Sequence, residues 1–152
     1  MTQDALTGWD DEATAEAYAA FTRSFPTYTG TSRDLASRAR LITSRTIVDL
    51  CGGTGATAQA TLALAPRDAQ VITLDNAWAM QRIGRRTVHD PRLTWITARA
   101  EDLTEHTPAG GVDAACATQR SGRQTCPPCS PQCTALCGPA AVRVQRRRRL
   151  RR

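Results

Sequence analysis

A short β-branched run, Thr46-Ile47-Val48-Asp49-Leu50, meets the glycine cluster Cys51-Gly52-Gly53-Thr54-Gly55, and an alanine-rich stretch follows at once. A strand apolar along most of its length is buried on both faces, as strands of parallel sheets are. Parallel neighbours need long crossovers, usually helices. The pattern then repeats. Ala56 to about Leu64 predicts a helix closed by Pro66, Gln70 to Asp75 a second strand, and Asn76 to Thr87 a helix with Ala77, Met80, Ile83 and Val88 along one face. Arg92 to Thr97 predicts a third strand, Ala100 to Leu103 a loop, and Gly111 to Cys116 the start of a fourth strand. Two helices are expected before the first strand. Asp10 to Ala20 has Trp9, Ala13, Ala17, Tyr18 and Phe21 near helical spacing, and Phe25-Pro26 ends it. Ser32 to about Ile42 is the second, capped by Thr31 or Ser32, with Leu35, Ala39 and Ile42 as its apolar stripe.

Strands alternating with helices predict an α/β fold, a Rossmann-like three-layer αβα sandwich on a parallel sheet with right-handed crossovers. At 152 residues one domain is favoured. The sandwich is expected to be incomplete, with strands 1–4 only, because the composition breaks near Ala117. Residues 1–117 carry 11 Arg and all 14 acids; residues 118–152 carry nine Arg, no acid, four of the six Cys and four of the eight Pro. There is no lysine, so all 20 cations are arginine. No apolar run approaches the roughly 18 residues of a membrane span. The first residues lack a basic segment ahead of an apolar one, so no signal peptide is expected and the cytoplasm is the simplest address.

In open parallel sheets ligands sit beyond the carboxyl ends of the strands. Asp49 with the glycines, Asp75, Glu101 and Asp102 all fall at such ends. Glycines let backbone approach a ligand and tolerate positive φ. The helix start after them offers N–H groups and positive dipole character. Asp75, 20 positions after Gly55, is placed to accept both hydroxyl protons of a ribose. A nucleoside-containing ligand follows, and two classes remain open. Gly53-Thr54-Gly55-Ala56-Thr57-Ala58 fits G-x-G-x-x-A, a weak dinucleotide fingerprint consistent with an NAD(P)-dependent oxidoreductase. A carboxylate inside the end of the first strand favours instead a cationic ligand group over a pyrophosphate.

The segment from Val48 to Gly55 resembles motif I of the class I S-adenosylmethionine (SAM)-dependent methyltransferases: an acid, Asp49, then small residues at the alternate positions Cys51, Gly53 and Gly55. Cys51 stands where the motif has its first glycine, with Gly52 displaced one place along. The resemblance covers roughly Ala13 to Cys116. It implies residues 1–45 as a helical cofactor lid, 46–117 as a SAM-binding half-domain and 118–152 as a separate tail. It further implies that SAM is the cofactor and that a methyl group goes to a small-molecule acceptor. Asp49 would face the ammonium of the methionine moiety, and Gly53 and Gly55 would pass beneath it. Asp75 would hold the ribose, with Asn76 or Trp78 flanking the adenine. Asp102, beside Glu101, would accept from the adenine amino group. Tyr18 would cap the cofactor, and Arg38 would reach the methionine carboxylate. No catalytic nucleophile or base is visible, and methyl transfer needs none in principle, since alignment supplies much of the rate.

The tail is expected to be disordered. Cys126, Cys129, Cys133 and Cys137 are spaced too closely for a closed zinc site, so no metal is assigned. His89 and His106 sit in polar turns without convergent partners. The run Arg146-Arg147-Arg148-Arg149 implies incidental polyanion binding, and a non-catalytic Arg-tailed polyanion-binding protein is the remaining alternative; no aromatic follows Trp95 to stack a base, so specific nucleic-acid recognition is not expected. Back-translation of Leu136 to Ala141 from the last base of the leucine codon permits Leu-Arg-Pro-Gly-Gly, a turn that the resemblance implies after a fourth strand. The expectation is therefore a chain truncated or frameshifted after about residue 117, with an exposed apolar sheet edge and impaired activity. No membrane partner is expected.

Overall fold

The structure, a computed structural model, describes residues 8–39, 41–109, 111–117 and 140–142. The cysteines at 126–137, the arginine run, and the expectations of tail disorder and a shifted frame lie outside the described residues. Five strands form one sheet in the order β3-β2-β1-β4-β5, with β1 Thr46–Leu50, β2 Gln70–Asp75, β3 Leu93–Thr97, β4 Ala114–Ala117 and β5 Ala140–Val142. The first four pair in parallel, and β5 runs antiparallel to β4. The helices are α1 Glu12–Ser24, α2 Pro26–Arg38, α3 Ala56–Leu64 and α4 Trp78–Thr87, with 3-10 turns at Leu41–Thr43 and Ala100–His106. Among the described residues no helix is long and apolar enough to cross a membrane.

The Rossmann-like α/β architecture with its parallel core of four strands is as expected, and the bounds of α3 and β2 match those read from the residues. Four expectations are corrected. The sheet does not stop at strand four, because Ala140–Val142 adds a strand across an edge that would leave its backbone groups unpaired. Helix α2 begins at Pro26, six residues before the predicted start. Proline lacks an N–H that a first helical position does not use, so it opens α2 as readily as it ends α1. Thr29 and Thr31 stay helical by donating their hydroxyls to the carbonyls of Pro26 and Thr27. Ile42 is 80% exposed rather than part of the α2 stripe, because the helix ends at Arg38 and a 3-10 turn reorients the chain. The stretch predicted as a loop at 100–103 is a 3-10 turn running to His106.

One face of the sheet packs Ile47, Val71, Ala114 and Cys116 against Leu35 and Ala36 of α2, its C-cap Ala39, and Ala58, Ala60 and Leu62 of α3. The other face gathers Val48, Leu50, Ile72 and Leu74 with Ala98, Ala100, Leu103 and Val112. Helix α1 docks on α4 through Ala15 and Ala19 against Ala77, Ala79, Met80 and Ile83. Ion pairs rim that contact, Glu12 with Arg82 and Arg86, and Glu16 with Arg86, at 3.2–3.4 Å. They are half-exposed and each adds little. Buried Gln81 pins α4 to β3: its amide donates to the Ile96 carbonyl at 2.6 Å and its oxygen accepts from Thr97 Oγ1 at 3.0 Å.

Trp95 is the wedge between α3 and α4. A methyl group on Gly84 would lie 2.2 Å from its ring, and one on Gly55 2.6 Å away. Backbone therefore meets an indole where no side chain fits. Gly84→Ala should destabilise the fold by about 1–3 kcal/mol, the usual cost of overpacking. Trp95→Leu in the same chain should recover part of that loss. Urea denaturation of the single and double variants measures the coupling, and strictly additive effects would contradict the wedge.

Candidate functional site

The site is built where β1 and β2 end. After Leu50 the chain turns through Cys51 (φ 56°), Gly53 (φ 51°) and Gly55 (φ 83°), three left-handed residues at alternate positions. Cys51 is the only non-glycine residue with positive φ among those described. Gly55 is the N-cap of α3 and gives it no side-chain cap. The Gly55 carbonyl takes the first intrahelical bond, from Gln59, so the amides of the first turn have no helical partner.

Gly52 lies directly on the sheet. A Cβ there would fall 2.1 Å from Thr73 Oγ1 and 2.6 Å from Asp49 Oδ2. Asp49 is 0% exposed, and its in-register neighbours are Thr73 on β2 and Cys116 on β4. Burial pushes its carboxyl up to about 8, and the charge of Asp75 adds to the rise. The Ala58 amide and the Thr73 hydroxyl temper the shift, but neither closes a hydrogen bond of ordinary geometry, and both carboxyl oxygens lack a partner. At neutral pH Asp49 is thus largely a neutral acid. The same burial, with the nearby Asp49, raises the Cys116 thiol to about 12.

Asp75 closes β2 and spans two elements. Its Oδ2 accepts from the Gly53 amide and its Oδ1 from the Ala77 amide, both at 2.8 Å. Burial raises its carboxyl above the usual range, those two amides oppose the shift, and Asp10 reinforces it. Asp10, which the sequence reading did not single out, accepts from the Trp78 amide at 3.0 Å and so supplies a cap for α4 from outside the helix. Its only sequence signal was its place just ahead of a helix.

A cavity of about 1150 Å³ opens between the loop and α1–α2. Of the predicted site residues it brings together Tyr18, Cys51, Gly53, Asp75 and Asn76. Asp49 and Gly55 lie outside the lining, Asp49 beneath the loop and Gly55 against Trp95. Glu101 and Asp102 are also outside it, on the 3-10 turn after β3, where Glu101 pairs with Arg99 at 3.5 Å. Arg38 lines the cavity but is paired with Asp34 at 2.9 Å. Trp9, Asp10 and Tyr28 line it as well and were not predicted. The aromatic stripe of α1 was read as the helix's apolar side. The residues of α1 that are buried are Ala15 and Ala19, and of its two rings Tyr18 reaches the cavity while Phe21 does not. Among the described residues no cluster of His, Cys, Asp or Glu is suited to hold a metal.

No family model matches the chain, and no curated protein does. Solved structures share its fold. A Methanococcus maripaludis protein described as an S-adenosyl-L-methionine-dependent methyltransferase superposes with a TM-score of 0.55 at 18% identity, over 71% of this chain and 50% of its own. DesVI from Streptomyces venezuelae gives 0.52 at 17% identity, over 72% and 43%. A Geobacter sulfurreducens methyltransferase gives 0.50 at 17%, over 66% and 53%. The chain spans about half the length of these structures. The chain shares the Rossmann-like α/β fold of these methyltransferase structures over that part of their length.

Two variants test the loop. A left-handed residue with a Cβ costs about 1–2 kcal/mol, and glycine gives back about 0.5–1 kcal/mol through its freer unfolded chain. Cys51→Gly should therefore raise the melting temperature modestly, a net gain of about 0.5–1 kcal/mol. Asp49 holds its proton in the fold up to about pH 8 but in the unfolded chain only to about 3.8. The folded state binds the extra proton across that window, so this contribution is complete below about pH 4 and is lost as pH rises toward 8. Asp49→Asn should flatten the fall in stability between pH 5 and 8, read from urea midpoints. A slope identical to that of the parent chain would count against a neutral Asp49.

Proposed function

We propose that the chain binds SAM in this cavity and belongs to the machinery of methyl transfer to a small-molecule acceptor. One observation carries the proposal: Asp75, at the end of β2, reaches back to the Gly53 amide and so sets a carboxylate on the same wall as the glycine loop and the open first turn of α3. Each of its oxygens accepts one amide and keeps a second lone pair, which suits the two hydroxyls of a ribose. The residues fit a cationic nucleoside better than a pyrophosphate. Of the charged residues that line the cavity, Arg38 is paired with Asp34, which leaves Asp10 and Asp75 against Arg23. Two carboxylates facing a pyrophosphate would be repulsive, while they attract a sulfonium and an ammonium.

In this reading Asp75 holds the ribose and Asn76 flanks the adenine, while Trp78, Glu101 and Asp102 lie outside the lining and are given no part in it. Gly53 carries the methionine part past the loop, and Tyr18 closes over it from α1. Asp49 supports the loop from below as a neutral acid. When bound, SAM supplies a methyl group on a positively charged sulfur, a good leaving group. The protein's part is to orient, to exclude water and to leave an acceptor in line.

Isothermal titration with SAM and, separately, with NAD tests the assignment. SAM should bind and NAD should not. Asp75→Ala should weaken SAM binding at least tenfold, about 1.4 kcal/mol, with the fold intact by circular dichroism. Binding of NAD in preference to SAM would replace the proposal with a dinucleotide-binding one.

A further inference from the structure

The cavity wall opposite the glycine loop is aromatic. Five of the chain's seven aromatic residues lie between Trp9 and Phe25 or at Tyr28, and Trp9, Tyr18 and Tyr28 line the cavity. Trp9 stands at 84° to Tyr18 with centroids 5.4 Å apart, and Tyr28 at 90° to Tyr18 at 6.5 Å. Phe21 backs Tyr28 edge-on at 5.3 Å, and Phe25 lies 4.4 Å beyond Phe21. Tyr18 packs in part against the alanine contact of α1 with α4, whereas Trp9 remains 42% exposed. Asp10 lies next to Trp9 in sequence, and its carboxylate is on the same cavity.

Rings packed edge to face along a cavity wall, with a carboxylate beside them, are suited to a cation, because each ring face left open to the cavity carries the negative part of the ring quadrupole; Arg23 and Arg38 lie on the same lining, and Arg38 is paired with Asp34. We propose that Trp9, Tyr28 and Asp10 form the acceptor subsite beside Tyr18 and select an amine nitrogen as the atom to be methylated. The inference rests on the SAM-binding assignment and extends it from a cofactor to an acceptor class. The chemistry favours nitrogen over oxygen. The acceptor's ammonium form first sheds a proton to water or to Asp10, the lone pair of the neutral amine so formed makes the bond to the methyl carbon, and the carbon–sulfur electron pair stays on sulfur. Positive charge thus passes from sulfur to nitrogen, and the product is an ammonium held by the rings. A hydroxyl acceptor releases a proton and ends neutral, so the rings would do nothing for it. Groups that stabilise charge as it develops act on the rate and not only on binding.

The test uses two probes of one shape, choline and its neutral isostere 3,3-dimethylbutan-1-ol, titrated into the full chain with and without S-adenosylhomocysteine, the demethylated cofactor. That compound is titrated alone first. The expected result is binding of choline at least tenfold tighter than the isostere with S-adenosylhomocysteine present. Trp9→Leu and Tyr28→Leu should each cut that preference at least fivefold, whereas Tyr28→Phe should keep it; circular dichroism confirms the fold of each. Equal binding of the two probes overturns the subsite. Competition between choline and S-adenosylhomocysteine also overturns it, since the rings would then belong to the cofactor. A chain that binds choline but not S-adenosylhomocysteine keeps the cation site and overturns both its acceptor role and the cofactor assignment. Binding of S-adenosylhomocysteine without any preference for choline sinks only the acceptor inference.

Discussion

No side chain fits between the glycine loop and the sheet, and most of the site follows from that. One row of residues crosses the sheet in register, Trp95 on β3, Thr73 on β2, Asp49 on β1 and Cys116 on β4. Gly52 rests on the middle of the row, while Gly55 and Gly84 rest on its indole end. A parallel sheet buried on both faces would ordinarily fill such a row with aliphatic side chains. Polar and aromatic residues here keep the row tall at Trp95 and let backbone descend onto it elsewhere. The descent aims the Gly53 amide at Asp75 and leaves the first turn of α3 facing the cavity.

The elements whose cues are local were legible in the residues. Helix α3 and strand β2 each lie between clear stops, glycine or proline on one side and a polar turn on the other. The misplacements came where one residue serves two elements. Pro26 reads as a terminator of α1 and is also the first residue of α2. Phe25, extended at φ −120°, is at once the C-cap of one helix and the N-cap of the next, so the two helices join without a loop. Thr29 and Thr31 resemble cap residues, and only their bonds to helix carbonyls show otherwise. Strand β5 had no local signal, because its place is set by the β4 edge it pairs with.

The candidate site was legible in part for a related reason. Asp75, Asn76 and the loop are contiguous with strand ends, so the parallel topology alone brings them together. Asp10, Trp9 and Tyr28 come from the helical segment, whose placement depends on which face of α1 meets α4. Periodicity identifies an apolar stripe but not its partner. Alanines allow closer helix contact than rings, and the ion pairs of Glu12 and Glu16 with α4 arginines agree with that choice of face.

Of the two carboxyl groups at the ends of β1 and β2, Asp75 raises the cost of ionising Asp49, and their surroundings decide which one yields. Asp75 has two backbone amides aimed at it, which favour its charged form. Asp49 is fully buried with no bond closed on either oxygen, so it keeps its proton. If Asp49 were charged, Gly52 would lie over a buried carboxylate with no hydrogen bond to either oxygen. With Asp49 neutral, the charged groups at the cavity are those of its own lining, Asp10, Asp34 and Asp75 against Arg23 and Arg38. The buried acid thereby gives the loop its polar floor without adding to the charge that a bound cation meets, and a carboxylate that cannot reach the cavity still decides how negative the cavity is.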